Sequence, residues 1–312
     1  MRLRNWLAPV LCALFAGGCA APLSLISFAG STAAKTAHNY SEAEKEEAPK
    51  RHAVAQANVA LAVEYMRQKR YQDALLKLEK ARMAEPRYAA TYSMFGLLYQ
   101  QLGEVESAEA NYRKSIELDE DNPEYLNNYG QFLCHQGRFA EAEATFVEAA
   151  GNPLYLTPEV AYANAGACAW ADKRDPVKAR RFYTESLERD PSLPNALIAM
   201  SEIEYAAGDY TAADHYYRRY HAQGGHTARS LWLGVRIKQR AGDADARASY
   251  ALLLRQKFPD SDEARLLSRP GGLQETLAME QSPVQRGLIN TFEHFNQPEL
   301  LTDTQLLSAR KN

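Results

Sequence analysis

The stretch AATYSMFGLLYQQLGEVESAEANY at residues 89–112 repeats the layout of AQANVALAVEYMRQKRYQDALLKL at residues 55–78. Leu61, Ala62, Tyr65, Ala74 and Leu78 in the earlier stretch are matched 34 positions on by Phe95, Gly96, Tyr99, Ala108 and Tyr112. Within each half the bulky residues fall three and four apart, the spacing that gathers them on one helix face. Gly103 interrupts the run between halves, so each stretch reads as two antiparallel helices joined by a short turn. The small residues at 62 and 96, and at 74 and 108, let the two helices approach closely. A large side chain at Gly96 or Ala108 would overpack that crossing and cost about 1–3 kcal/mol.

The layout continues down the chain. Repeats run near 55–88, 89–122, 123–150, 159–193, 194–227 and 228–261, with residues 151–158 interrupting the phase. Pro86 and Pro259 close the first and last units, 173 residues apart, which is five intervals of about 34.6 residues. A unit of this length and pattern resembles the tetratricopeptide repeat (TPR). Such a unit cannot bury its apolar face alone, so it stacks into a solenoid whose inner curve binds other chains. The fold class expected is all-α: a TPR superhelical solenoid of about six helix pairs over residues 51–265. A mostly irregular C-terminal tail with short helices is expected at 266–312.

In this repeat the first helix faces inward through its second, fifth, ninth and twelfth positions. By that phase Val59, Val63, Met66, Ser93, Leu97, Asn127 and Gln131 line a partner-binding groove that begins apolar and turns polar. Apolar residues facing water in such a groove suit an amphipathic helix or an extended peptide. The competing occupant is the N-terminal tether folded back on the patch. Asn127 either offers its amide to a partner's backbone or caps its own helix.

Other function classes find little support. Net charge is −3 over 312 residues, without the basic stripe that nucleic-acid binding needs. No phosphate-cradling glycine loop, nucleophile elbow or His-Glu-x-x-His motif occurs, and His215, His221 and His226 lack ligand spacing on one helix face. The expectation is a chain with no catalytic residue, cofactor, metal, nucleic-acid partner or small-molecule substrate.

The N-terminus reads as an address. Arg2 and Arg4 precede an apolar run from Trp6 to Phe15, too short to cross a bilayer as a mature helix. Ala16-Gly17-Gly18-Cys19 then resembles the bacterial lipobox, with Ala16 where Leu is usual. The resemblance implies a signal peptide at 1–18, a lipid on Cys19, and, because Ala20 rather than Asp follows, an outer-membrane anchor facing the periplasm. Residues 19–50 read as a tether with little sustained helical periodicity, its acidic 41–49 part helical in places. Once Cys12 leaves and Cys19 is acylated, Cys134 and Cys168 remain, on the first helices of adjacent repeats. Side-by-side helices lie about 8–10 Å apart, and a bridge needs Cα atoms within about 7 Å. An oxidising compartment favours that bridge over two buried thiols.

Two further stretches carry a specific likeness. They are Asn127-Asn128-Tyr129-Gly130-Gln131-Phe132-Leu133-Cys134 with Gln136-Gly137-Arg138, and Ala222-Gln223-Gly224-Gly225 followed by Ala228-Arg229-Ser230-Leu231-Trp232-Leu233-Gly234. With the lipobox, tether and repeats they resemble the type IV pilus biogenesis and stability lipoproteins, the PilF/PilW family, over residues 1–265. The resemblance implies a pilotin without catalysis. Such a protein binds the type IV pilus secretin through its early repeats, brings it to the outer membrane and promotes multimer assembly. Two other readings are a TPR lipoprotein of the outer-membrane protein insertion machinery and the targeting arm of a peptidoglycan-acting enzyme. The Asn-Asn-Tyr-Gly and Gln-Gly-Gly stretches argue against the first. Residues 266–312 are too short to hold the catalytic domain the second needs.

Overall fold

The computed structural model describes residues 42–172 and 175–281. Fourteen helices follow one another in pairs among these residues. The first six pairs are α1 (Glu42–Arg67) with α2 (Tyr71–Ala84), α3 (Ala89–Leu102) with α4 (Val105–Leu118), α5 (Pro123–His135) with α6 (Phe139–Gly151), α7 (Pro158–Ala171) with α8 (Pro176–Arg189), α9 (Pro194–Ala207) with α10 (Tyr210–His221), and α11 (Ala228–Arg240) with α12 (Ala244–Lys257). A shorter pair, α13 (Asp262–Ser268) and α14 (Gly272–Gln281), ends the described chain.

Local sequence sets the helix ends. Pro123, Pro158, Pro176 and Pro194 open α5, α7, α8 and α9, where the missing N–H is one that a helix leaves unbonded anyway. Asn122 Oδ1 accepts from the Glu124 N–H at 3.1 Å, capping α5. Thr227 and Ser230 cap α11 reciprocally, each hydroxyl accepting from the other's backbone N–H at 3.1 and 2.9 Å. Gly103 and Gly208 end α3 and α9 at φ 78° and 86°, a left-handed conformation that favours glycine.

Stacking joins the pairs into one body. Each helix packs along its partner, and the first helices of successive pairs also touch one another from α1 through α11. A single buried cluster runs from Ala62 on α1 to Ile237 on α11. Close crossings lie at the small residues: a Cβ at Gly96 would sit 2.8 Å from the Tyr112 ring, and one at Gly130 would sit 2.8 Å from the Phe146 ring. The Tyr112 and Phe132 rings, 5.4 Å apart, carry the packing from the second pair into the third.

Several sequence-based boundaries shift. α1 begins at Glu42, inside the segment read as tether, and Pro49 lies within it. His52 holds this extension down, its ring nitrogen 2.7 Å from Glu85 Oε2 and its ring edge-on to Tyr88 at 5.0 Å. α6 runs to Gly151, one residue past the repeat boundary. Thirteen of the first 16 residues of the region read as tail lie in α13 and α14, and the other three form the turn between them. Ala264 and Leu273 bury themselves against Leu231, Trp232, Val235, Ala251 and Leu254 in a second apolar cluster. The last full pair leaves an apolar face that water penalises, and this short pair covers it. The signal peptide, Cys19, residues 19–41 of the tether and residues 282–312 lie outside the described residues.

Candidate partner-binding surface

The structure buries most of the residues read as the groove. Val63, Met66 and Leu97 are 2%, 2% and 4% exposed and sit in the main apolar cluster. Ser93 and Asn127 are 0% and 6% exposed. Packing against neighbouring helices closes over all five. Their accessibility is thus corrected: they form the wall from within. Only Val59 and Gln131 of the seven keep partial exposure, and Ala167 and Ile198 share that state farther along.

The buried polar members are not idle. Asn128 Nδ2 donates to Ser93 Oγ at 3.2 Å, tying α5 to α3. Asn164 Nδ2 donates to Asn127 Oδ1 at 2.9 Å, tying α7 to α5. Asn127 therefore neither caps its helix, a task Asn122 performs, nor turns its carbonyl to the surface. A buried amide left unbonded would cost about 1–3 kcal/mol, so this ladder fixes the lateral register of three repeats. Cys134 and Cys168 are joined by a disulfide with Cα atoms 5.8 Å apart. The bridge adds a covalent link between α5 and α7 beside the Asn127–Asn164 bond.

Charged groups lock the repeats together elsewhere. Glu109 Oε1 on α4 accepts from Arg138 Nη1 at 2.9 Å, Arg113 Nη2 at 2.8 Å and the Tyr129 hydroxyl at 2.9 Å. These donors, Arg138 first, hold its carboxyl down at about 2. Arg180 forks onto Glu204 at 2.6 and 3.0 Å, joining α8 to α9. Lys238 on α11 reaches Asp214 on α10 at 2.9 Å. Glu202 is paired with Arg229 at 3.2 Å, yet burial pushes its carboxyl above the usual range, against the pull of Arg229 and Arg236.

Glu109 gives a pH prediction. Its folded pKa lies below the value of an unfolded glutamate, so its contribution is complete above about pH 4.5 and is lost as pH falls toward about 2. Glu109→Gln is expected to lower stability at neutral pH by about 1 kcal/mol after solvent screening. Urea titrations at pH 7 and pH 3 check this: the gap between wild type and variant should narrow at pH 3, and a gap independent of pH would count against the clasp.

Sequence reading missed Asn164, Glu109 and Arg138, whose partners lie a helix or a repeat away in the chain. It also missed that His221 and His226 meet, their ring centroids 4.3 Å apart, across the turn holding Gly224 and Gly225. Among the described residues no group of three or more His, Cys, Asp or Glu is placed to hold a metal ion. A cleft of about 720 Å³ opens between the α9–α10 turn and the end of α11, lined by Gly208, Asp209, Tyr210, Asp214, Arg218 and Arg240. Leu154 and Leu156 are largely exposed on either side of buried Tyr155, in the segment that interrupts the repeat phase. The arrangement is a wall of stacked helices cross-linked between repeats, the kind of surface that TPR solenoids offer to other polypeptides.

Comparison with known proteins agrees with this architecture. The family model described as Tetratricopeptide repeat matches residues 93–153. The chain is 31% identical over 207 residues to the type IV pilus assembly protein PilF of Pseudomonas aeruginosa, a match spanning 66% of this chain and 82% of that protein. The solved structure of Pseudomonas aeruginosa PilF superposes with a TM-score of 0.60 at 30% identity, over 73% of this chain and 99% of the other. That of PilW, described as a widely conserved type IV pilus biogenesis factor, gives 0.59 at 30% identity, over 72% and 98%. The chain is a member of the PilF/PilW family of type IV pilus biogenesis TPR proteins.

Proposed function

We propose that this chain is an outer-membrane lipoprotein adaptor that binds the type IV pilus secretin along its TPR surface and promotes the secretin's localisation and multimer assembly. The observation that supports it most is the match to PilF over nearly the whole of that protein's solved chain. The rigid inner wall built by the Ser93–Asn128 and Asn127–Asn164 bonds and the Cys134–Cys168 bridge suits an adaptor, because a preformed surface loses little entropy on binding. Val59 and Gln131 remain the surface members of the expected groove, and Val63, Met66 and Leu97 shape it from behind.

Cys19 carries the membrane half of the proposal. An acylated cysteine gains about 0.8 kcal/mol per buried CH₂, and more than one chain makes attachment stable. Cys19→Ser is expected to move the chain out of the outer-membrane fraction and to reduce the secretin multimer recovered there. Binding of the soluble variant to purified secretin should persist, which separates anchoring from recognition. A Cys19→Ser chain that fractionates normally with the outer membrane would refute the anchor.

A further inference from the structure

We propose that the N-terminal end of the solenoid is a self-association surface on which two copies of this chain pair through α1. In the second to fifth pairs one face of the first helix is covered by the preceding pair. Phe95, Tyr129, Ala165 and Met200 occupy the same repeat position and are buried, as are Leu98, Phe132, Cys168 and Ile203 three residues on. The matching residues of α1 are Leu61, 44% exposed, and Glu64, also exposed. Val54 is 50% exposed on the same face. No described helix stacks there, whereas α13 and α14 cover the opposite end of the solenoid.

The exposed face has the form of a helix-pairing seam. Glu47, Lys50, Val54, Ala57, Leu61 and Glu64 are all exposed and follow one another at alternating spacings of three and four, the period of packed helix pairs. The helix that carries them has 26 residues against 14 in α2, so the seam extends past its own partner. Both charge signs flank the apolar centre, with Glu47 near Lys50 at 3.6 Å and Glu64 near Arg67 at 3.7 Å. An antiparallel two-fold brings Lys50 of one copy toward Glu64 of the other and Glu47 toward Arg67, whereas a parallel pairing sets each charge against its like. Head-to-tail stacking is closed off by α13 and α14, and face-to-face contact is complete after two copies.

The test uses the full chain purified in detergent, with Ala57→Cys near the proposed two-fold axis and a short bismaleimide cross-linker. Val177→Cys, at a position 73% exposed on α8, serves as the control. The expected result is capture of Ala57→Cys as a dimer and of Val177→Cys as a monomer. Adding Leu61→Lys to Ala57→Cys should lower capture about tenfold, since each lysine would enter a desolvated seam. Circular dichroism confirms that these surface variants fold. Three outcomes overturn the proposal: no more dimer from position 57 than from position 177, capture unchanged by Leu61→Lys, or a monomeric Ala57→Cys variant whose introduced thiol resists maleimide because the chain's own N-terminal residues cover it.

Discussion

Gly130→Leu is expected to destabilise the chain by about 3 kcal/mol, the upper end of the range for overpacking a close crossing. At Gly130 even a Cβ would lie 2.8 and 2.9 Å from two carbons of the Phe146 ring. That ring is 1% exposed, so it yields only by displacing the core around it. Helix propensity works the other way, since alanine outranks glycine by about 1 kcal/mol in a helix interior. A loss seen already with Gly130→Ala therefore reports packing rather than propensity. Gly151, the last residue of α6 with nothing within 4 Å of its would-be Cβ, is the control, and Gly151→Ala should cause no loss. Urea unfolding of the three variants decides it. Equal midpoints for Gly130→Leu and wild type would mean that α5 and α6 do not cross as described.

The paired replacement Cys134→Ala and Cys168→Ala is the other large effect. The bridge joins residues 34 apart in sequence. For a loop of that length the chain-entropy account gives about 3–4 kcal/mol. At about 2–4 °C per kcal/mol for a chain of this size, the melting midpoint should fall by about 10 °C. Solenoid stability is a sum of repeat and interface contributions. The loss should therefore appear first as faster amide exchange in α5 to α8, with α9 to α12 less affected. Reductant should lower the wild-type midpoint by a similar amount and leave the paired variant unchanged. A midpoint insensitive both to the replacement and to reductant would contradict a stabilising bridge.

Some features were legible in the sequence because they are local. The spacing of Leu61, Ala62 and Tyr65, and its return at Phe95, Gly96 and Tyr99, needs only one repeat to be read. The helix starts at Ala89, Pro123, Pro194 and Ala228 fall where the repeat count places them. Accessibility is a different matter. Val63 and Leu97 point inward by phase, but whether an inward residue faces water depends on how closely the next helix approaches. Tyr112 and Phe146, packed against Gly96 and Gly130, help set that approach. Asn127 shows the same limit, because its hydrogen-bond partner Asn164 lies a full repeat away.

The two ends of the solenoid were only partly legible, for related reasons. Pro49 looked like a tether residue, yet α1 passes through it because His52 is anchored to Glu85 and Tyr88 on the neighbouring connection. Leu273 and Leu277 looked like an isolated apolar cluster in a tail. Their value comes from the face of α11 and α12 they meet, with Leu273 buried and Leu277 packed beside it. Repeat periodicity is silent about caps, since a cap is needed only where the period stops.

Binding of secretin by the native chain is the central claim, and co-purification tests it most directly. The lipidated chain would be isolated through a C-terminal affinity tag from detergent-solubilised outer membranes and the eluate probed for the type IV pilus secretin. The account predicts secretin in the eluate, depleted when Val59 and Gln131 are both replaced by lysine while the circular dichroism of the chain is unchanged. An eluate of intact, folded, membrane-derived chain without secretin would contradict it.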